Sequence, residues 1–587
     1  MLISKDKFAV VYFSMEIALE NDLKTYAGGL GILAGDLLKS AAQKNFPIVG
    51  LSLINRQGYF KQVLTKDGKQ IAKPDFAYDF SKLKKLPDSV IVNIGAERVK
   101  VGVWQYLISG INNFSAPVYF LDTDFPENSN ELRFLTSDLY GGDKEHRLKQ
   151  EIILGRAGVK MLKQLGYEKI KKFHLNEGHG ALAAVELFLS SKKKNNSEKV
   201  KEVRQQIIFT THTPLKKQQD VFSQRELKHY QVDFPDYLLG LISREGINLT
   251  VVGLYFSGYT NAVSKLHQKV TEKMFPKYKI NAITNGVNSV TWTAEEFKKL
   301  YDKYISNWRQ YGPLLLNAEK ISLDEIWNAH QIEKKCLIKY LNDKSKIKFS
   351  EDVFTIAFAR RFTPYKRPDF LFNDIKRLLE VQKNGGQIQI IYTGKAHPND
   401  LSGQMLIKKI FEFKNKLESK IKIIFLENYD MKLSKLLVSG VDLWLNTPLI
   451  PNEASGTSGM KAAHNGIPQL STLDGWWPEG YHKNKTGWAI IEKKTKKLKK
   501  NKNLNKNIDH GKDYWENFSA EKIIQKKEAQ ENISNLYDLL EQEILPTYYH
   551  NKQKWQKIMR STISLNASYF NTDRAISQYI KEAYRLK

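Results

Sequence analysis

The stretch Asn452-Glu453-Ala454-Ser455-Gly456-Thr457-Ser458-Gly459-Met460-Lys461 decides how this chain is read. Ahead of it, 441–445 is a short apolar run of the kind that forms a buried strand; behind it, 460–465 opens a helix. A loop of glycine, serine and threonine at that junction leaves backbone N–H groups free at the positive end of the helix dipole. It suits an anion. The lysine at its end suits a phosphate or a carbonyl cofactor, because a partly buried lysine can shed its proton and form a Schiff base. The same loop can also be no more than a helix cap. It is not a phosphate loop of the Gly-x4-Gly-Lys-[Ser/Thr] kind, and no Gly-x-Gly-x-x-Gly fingerprint follows a strand here.

Outward from this loop, short β-rich runs alternate with amphipathic stretches. Strands are predicted at 8–13, 117–121, 207–211, 353–358, 388–392, 421–426 and 441–445. Helices are predicted at 31–44, 146–165, 179–191, 324–342, 367–382, 404–418, 525–544 and 571–585. The alternation predicts an α/β protein with parallel sheets covered by helices. In such sheets ligands bind beyond the C-terminal ends of strands. Thr211-His212, Arg360-Arg361 and the segment from Asn446 onward fall there. Arg360, Arg361, Lys366 and Arg367 gather four cations around Pro364-Tyr365. Alone, such a run is a solvated basic patch; the strand ahead and the proline favour a shaped loop.

The 587 residues suffice for two or more domains with large cores. A hydrophobic content of 42% marks a globular chain rather than a disordered one. The longest apolar runs, such as 8–13, are too short to cross a bilayer, and Glu16 and Glu20 interrupt any secretory apolar segment. Cys336 is the single cysteine, so neither an intramolecular disulfide nor a cysteine metal cluster is expected. Metal binding by His174 and His179 lacks a third ligand at useful spacing. These features point to a cytoplasmic protein without a metal. The net charge of +28 could signal a polyanion partner. Lysine is spread along the chain beside abundant asparagine, however, which reads as compositional bias, and no specific nucleic acid is expected. The segment 493–506 concentrates lysine and asparagine and reads as a solvated insert.

The segment 452–461 resembles the pyridoxal-phosphate segment of the α-glucan phosphorylases, in which a glutamate, a Thr-x-Gly turn and a terminal lysine stand at this spacing. Further blocks resemble the family in the same order. They are Val11-Tyr12-Phe13-Ser14-Met15-Glu16, Ala27-Gly28-Gly29-Leu30-Gly31, Asp122-Thr123-Asp124, Tyr140-Gly141-Gly142-Asp143 and His174-Leu175-Asn176-Glu177-Gly178-His179. Then come Thr210-Thr211-His212-Thr213-Pro214, Thr284-Asn285-Gly286-Val287 ending at Trp292, Arg360 to Arg367, and Phe425-Leu426-Glu427-Asn428-Tyr429. The chain is similar to the short bacterial form of the family, which lacks the long N-terminal regulatory extension of the animal enzymes.

The resemblance implies two Rossmann-like domains of the GT-B type facing a cleft, 1–284 and 285–587, with the last helix, about 571–587, crossing back to the first domain. It implies pyridoxal 5′-phosphate carried as an imine by Lys461, with Thr457, Gly459, Arg360, Tyr429, Trp292 and Gly29 around it. By the same resemblance Arg361 and Lys366 hold substrate phosphate. His212 meets the glucose C6 hydroxyl, and its carbonyl lies near the developing oxocarbenium charge. Glu453, Asn285, Tyr365, Gly28 and Gly31 are implied to bind substrate, and Asn176, Glu177 and His179 to shape the cleft. Bland roles stand beside these: Glu453 could cap its helix, Trp292, Tyr365 and Tyr429 could be core aromatics, and the three glycines a helix-start turn. The chain departs from the animal enzymes in Arg360, where they have lysine, and in Asp430, where they have arginine. It also departs from the short forms at 215–219, a loop that could border the glucan site.

The implied activity is reversible phosphorolysis of the terminal glucose of an α-1,4-glucan, glycogen or maltodextrin. Inorganic phosphate is consumed and α-glucose 1-phosphate released with retention; a homo-oligomer, a dimer, is implied too. Such chemistry needs the cation cluster: two unit negative charges ~5 Å apart repel by roughly 3 kcal/mol at an effective dielectric near 20. A sugar-nucleotide-dependent glucosyltransferase such as glycogen synthase would share the fold, but the cofactor lysine argues against it. A non-catalytic glucan- or polyanion-binding protein is opposed by the joint presence of Arg361, Lys366 and Lys461. No motif supplies the paired carboxylates of a retaining hydrolase.

Overall fold

Parallel strands need crossovers of a dozen or more residues, and the predicted apolar runs recur at a spacing that helices fill. The computed structural model describes residues 4–586 apart from 76–77, 112, 216–218, 233–241, 244–245 and 492–532, and of 242–243 the backbone alone. Two large sheets carry the fold. The first has nine strands in the order Asn281–Ala282, Tyr259–Ala262, Ile207–Thr210, Lys172–Asn176, Val10–Phe13, Ile48–Leu53, Ser115–Asp122, Glu97–Ser109 and Lys84–Ile94. Strands up to Ser115–Asp122 pair in parallel, and the last two add an antiparallel edge. The second sheet has six parallel strands in the order Lys422–Leu426, Ile388–Thr393, Phe354–Ala359, Leu443–Asn446, Gln469–Thr472 and Gly487–Ile490.

All seven predicted strands are present, each within a residue or two of its expected bounds. The helix predicted at 367–382 is not: the helix is Ile375–Gly385, preceded by a 3-10 turn at Phe370–Phe372. Arg367 has φ +45° and precedes Pro368, which disfavours an α conformation there, and the Asp374 side chain caps the true start by accepting the Arg377 N–H. Of the helix predicted at 525–544 the described part is helical from 533 onward, and the 493–506 segment lies outside the described residues.

Each sheet has its own apolar core. Val10, Phe13, Ile48, Val118 and Phe209 belong to the first, and Phe354, Ile356, Ile390, Ile423 and Leu443 to the second. Beneath the second sheet a buried charge pair fixes the long helix Leu323–Lys344. Lys334 Nζ lies 2.7 Å from Asp442 Oδ2, His330 Nε2 lies 3.0 Å from Oδ1, and the Thr355 N–H donates to Oδ2 at 2.8 Å. Among the described residues no helix is long and apolar enough to cross a membrane.

Two segments tie the halves together. The C-terminal helical run Thr572–Gln578 and Tyr579–Tyr584 packs Ile576, Tyr579 and Tyr584 into the first core. Tyr584 Oη meets His174 Nδ1 at 2.8 Å, and Arg574 of the same run donates to the carbonyls of Thr284 and Asn285. The hairpin Lys61–Leu64 and Gln70–Lys73 reaches the other way. The Gln62 N–H donates to Asn428 Oδ1 at 2.6 Å, Asn428 Nδ2 donates to the Gln62 carbonyl at 2.8 Å, and Gln70 Nε2 donates to the Ala396 carbonyl at 2.9 Å.

Asn428 holds this clasp from a left-handed backbone, φ +57°. Asn428→Ala loses two hydrogen bonds and keeps the strained backbone, so we expect a loss of about 2–4 kcal/mol in urea unfolding. Asn428→Gly should restore about 1 kcal/mol of that by relieving the strain alone. Equal losses for both would show that the clasp, and not the backbone, carries the whole effect.

Candidate active site

The C-terminal ends of the two sheets face one cavity of about 620 Å³. The second sheet contributes the loop after Phe354–Ala359. Arg360 Nη2 donates to Glu453 Oε2 at 2.8 Å, and Lys366 Nζ donates to the same oxygen at 2.7 Å. All three groups are buried. Burial pushes the Glu453 carboxyl up, but Arg360 and Lys366 outweigh it and hold the pKa at about 2. Glu453 does not cap the helix that follows; its Oε1 makes no hydrogen bond among the described residues. Arg361 also lines the cavity, is exposed, and makes no hydrogen bond or ion pair among the described residues. Arg367 turns elsewhere and donates to the carbonyls of Thr447 and Pro448. Gly456, at φ +80°, gives the loop ahead of the helix Ser458–Ala463 a backbone conformation that other residues rarely adopt.

Lys461 projects from the helix Ser458–Ala463 with its ammonium 3.7 Å from the Trp292 ring centroid. It makes no hydrogen bond through Nζ among the described residues. Burial lowers its pKa to about 8, against the opposing charge of Asp36. Trp292 is itself fixed by its indole N–H, which donates to Asp36 Oδ2 at 2.6 Å. That helix spans six residues, so its dipole is short, and the cations of 360–366 supply most of the attraction for an anion. Thr457 lines the cavity, whereas Gly459 does not: a Cβ there would meet Gln469 Oε1 at 1.6 Å, so Gly459 serves close packing. Tyr365 and Tyr429 line the cavity, and Tyr429 Oη donates to Ser434 Oγ at 2.9 Å. Asp430 accepts the Leu433 N–H and caps the helix Met431–Gly440, which explains an acid at that position.

The first sheet contributes the opposite wall. Gly28 and Gly29 line it with open space where a side chain would stand. Gly31 is not part of the lining; a Cβ there would meet Glu16 Oε2 at 2.8 Å. Glu16 accepts the N–H groups of Ala27 and Gly28 and the Tyr140 hydroxyl. Asn285 lines the cavity too. The His212 N–H donates to Glu177 Oε2 at 2.6 Å, and its ring Nε2 lies 2.6 Å from Asn176 Oδ1. Asn176 donates its amide to Ser14, so its oxygen accepts from Nε2–H and leaves His212 Nδ1 as an acceptor. Burial lowers the His212 pKa to about 3, which keeps the ring neutral.

His174 is committed to Tyr584 and Thr210. His179 does find partners that spacing could not show: donor atoms of Glu151, His179 and Asp220 lie within 4.8 Å of one another. Arg147 stands 3.3 Å from Glu151 and 3.8 Å from Asp220, supplying the positive charge a metal would bring. Of the 215–219 loop, 216–218 lie outside the described residues.

Sequence reasoning passed over Lys395, Asp474 and Tyr59. Lys395 lines the cavity, donates to the Phe60 carbonyl, and is lowered to about 8 by burial. It stands two residues beyond the strand Ile388–Thr393, where the strand-end rule applied equally, but a lone lysine among 91 basic residues carried no further sign. Asp474 accepts the Glu453 N–H at 2.9 Å, and burial together with the Glu453 charge raises it to about 7.

Removing the Glu453 charge leaves two buried cations unpaired. We expect Glu453→Gln to lose about 3–5 kcal/mol in urea unfolding at neutral pH. The folded pKa of about 2 lies below the usual 4.5, so this contribution is complete above pH 4.5 and disappears as pH falls through about 2. The gap between wild type and variant should narrow over that window; a gap independent of pH would show that the charge is not its source.

Comparison with known proteins agrees with this geometry. The profile of the carbohydrate phosphorylase family matches residues 237–479. A maltodextrin phosphorylase from Thermococcus litoralis is 36% identical over 98% of this chain and 70% of its own length. A glycogen phosphorylase from Aquifex aeolicus is 33% identical over 98% of this chain and 86% of its own. A glycogen phosphorylase from Mycobacterium tuberculosis is 30% identical over 98% of this chain and 70% of its own. With 98% of the chain matched by relatives 30–36% identical, and with Arg360, Arg361, Lys366 and the lysine of 452–461 gathered in one cavity, the chain belongs to the carbohydrate phosphorylase family.

Proposed function

We propose that the protein is an α-1,4-glucan phosphorylase that uses pyridoxal 5′-phosphate. It removes the non-reducing terminal glucose of glycogen or a maltodextrin with inorganic phosphate, gives α-glucose 1-phosphate with retention, and runs in both directions. The observation that carries this reading is Lys461: a buried amine held over Trp292 with no hydrogen-bond partner for Nζ among the described residues, in the same cavity as Arg360, Arg361 and Lys366. An amine lowered to about 8 is partly unprotonated near neutral pH, as a lysine that bonds a carbonyl cofactor must be.

The residues fit the cofactor. Lys461 would hold its ring beside Trp292 and Tyr429, and Arg360 and Thr457 would take its phosphate, with Gly29 leaving room. When bound, the group supplies a phosphate that can exchange a proton with substrate phosphate. Arg361, unpaired at the cavity wall, and Lys366 bind that substrate phosphate, the guanidinium as a fork and the ammonium as a point charge. Glu453 Oε2 keeps Lys366 directed inward while Oε1 accepts a glucose hydroxyl, joined by Asn285 and Tyr365. Neutral His212 accepts the C6 hydroxyl hydrogen at Nδ1. The other cavity carboxylates are engaged: Glu16 and Glu177 by backbone N–H groups, Asp400 and Asp430 as helix caps. Each of these has a structural partner already, and no sequence motif pairs them as a retaining hydrolase requires. We take 1–284 and 285–587 as the two domains, each built on one of the sheets.

Lys461→Ala should abolish both activity and cofactor retention. Borohydride reduction of the wild type followed by peptide mapping should place the label on Lys461; label on another lysine would count against the reading of this loop. Arg361→Ala should lower kcat/KM roughly tenfold to over a hundredfold in both directions, since a hydrogen bond to a charged group contributes about 1.5–3 kcal/mol. Its pyridoxal content, assayed on the same sample, should stay near that of wild type. An active Arg361→Ala enzyme with unchanged phosphate dependence would move the phosphate elsewhere.

A further inference from the structure

A second cavity, of about 870 Å³, opens at the far edge of the first sheet. The strand ends at Lys172, Ile207, Tyr259 and Asn281 line it, and these are N-terminal ends. The cleft lies beyond the C-terminal ends of the same strands, so the two cavities sit on opposite edges of one sheet. Lys172, Lys201, Arg204, Lys279 and Arg585 surround the second cavity, against the single carboxylate of Glu582. Among the described residues none of the five is ion-paired. Lys172 Nζ donates to the Gln205 carbonyl at 2.6 Å, Arg204 Nε to the Tyr255 carbonyl at 2.8 Å, and Arg585 Nε to the Glu582 carbonyl at 2.8 Å. The Glu582 carboxylate accepts instead from the uncharged Tyr259 hydroxyl and Gln578 amide.

This gathering differs from the general basicity of the chain. Arg377, by contrast, lies between Asp538 and Glu541, and Arg147 beside Glu151 and Asp220. Burial, and next to it the charge of Arg585, pushes the Lys172 ammonium down. The guanidinium of Arg204 is held over the Tyr255 ring, 4.7 Å from its centroid, which fixes its orientation toward the cavity wall. Tyr259, Val200 and Ile208 add an apolar side.

We propose that this cavity binds a small anion carrying two or more phosphate groups, of the nucleoside diphosphate or sugar bisphosphate class. Five cations around one concavity match the charge of two phosphates, with arginine able to fork onto one and lysines acting as point charges. The volume lies in the range of small-molecule sites. A nucleic acid would ask for an extended basic stripe rather than a recess closed by the C-terminal helical run. The site does not depend on the phosphorylase reading, because it shares no residue with the cleft.

The test is calorimetric titration of cofactor-loaded protein with inorganic pyrophosphate, and separately with ADP, in the Arg361→Ala background, which weakens anion binding in the cleft. About one equivalent should still bind. Adding Arg204→Gln and Lys279→Ala should weaken that binding at least tenfold, with the circular dichroism spectrum and melting temperature unchanged; Lys201→Ala, at an exposed helix position, should weaken it by itself if the pair disturbs folding. Binding that is absent in the Arg361→Ala background, or that survives all these changes, would overturn the proposal. So would duplex DNA binding more tightly than pyrophosphate and losing affinity in the same variants, since the recess would then belong to a polyanion surface.

Discussion

Two buried cations, Arg360 and Lys366, share one carboxylate oxygen of Glu453, and the site is arranged around that imbalance. Charges taken out of water cost several kcal/mol each unless they are paired. One carboxylate against two cations, with Arg361 at the cavity wall beside them, leaves this corner of the cavity positive. Asp474 stands directly behind Glu453, yet burial and that neighbouring negative charge raise it to about 7, so it does not fully cancel the excess. Such a corner, with its cations held by one buried carboxylate, is suited to a phosphate.

The same burial acts in the opposite sense on groups that lack a partner. Lys461 is lowered to about 8 and His212 to about 3, because burial disfavours the charged form and neither makes an ion pair among the described residues. The site thus holds permanently charged groups beside groups whose lone pairs are available. The difference lies in pairing rather than in residue type: Lys366 and Lys461 are both buried lysines, but of the two only Lys366 makes an ion pair among the described residues. This division suits a reaction that holds phosphate electrostatically and sugar hydroxyls by neutral hydrogen bonds.

A cavity formed by two sheets works only if the sheets keep their places. Asp36 of the first half fixes Trp292, which in turn positions Lys461. The Gln62–Asn428 clasp and the C-terminal helical run close the two sides of the arrangement, and Arg574 of that run holds the carbonyl of Asn285 at the cavity rim. Glycines at 31 and 459, which resemble site residues in sequence, act here by letting neighbouring elements approach, and so set the walls rather than line them.

The sequence by itself determined the parallel sheets, through the alternation of apolar runs with helical periods, and the positions of His212, Arg360 and the segment from Asn446 onward after strand ends, because strand ends in such sheets face a ligand. It left out what depends on distance. The pairing of Glu453 with Arg360 and Lys366 joins loops far apart in the chain, and no local pattern encodes it. The helix start at Ile375 was legible only through Arg367-Pro368 and Asp374, whose caps and backbone angles outweigh periodicity. Lys395 and Asp474 looked like any lysine and aspartate until burial set their charge. Periodicity is a property of neighbours in sequence, whereas desolvation and charge pairing are properties of neighbours in space, and only the tertiary structure decided those.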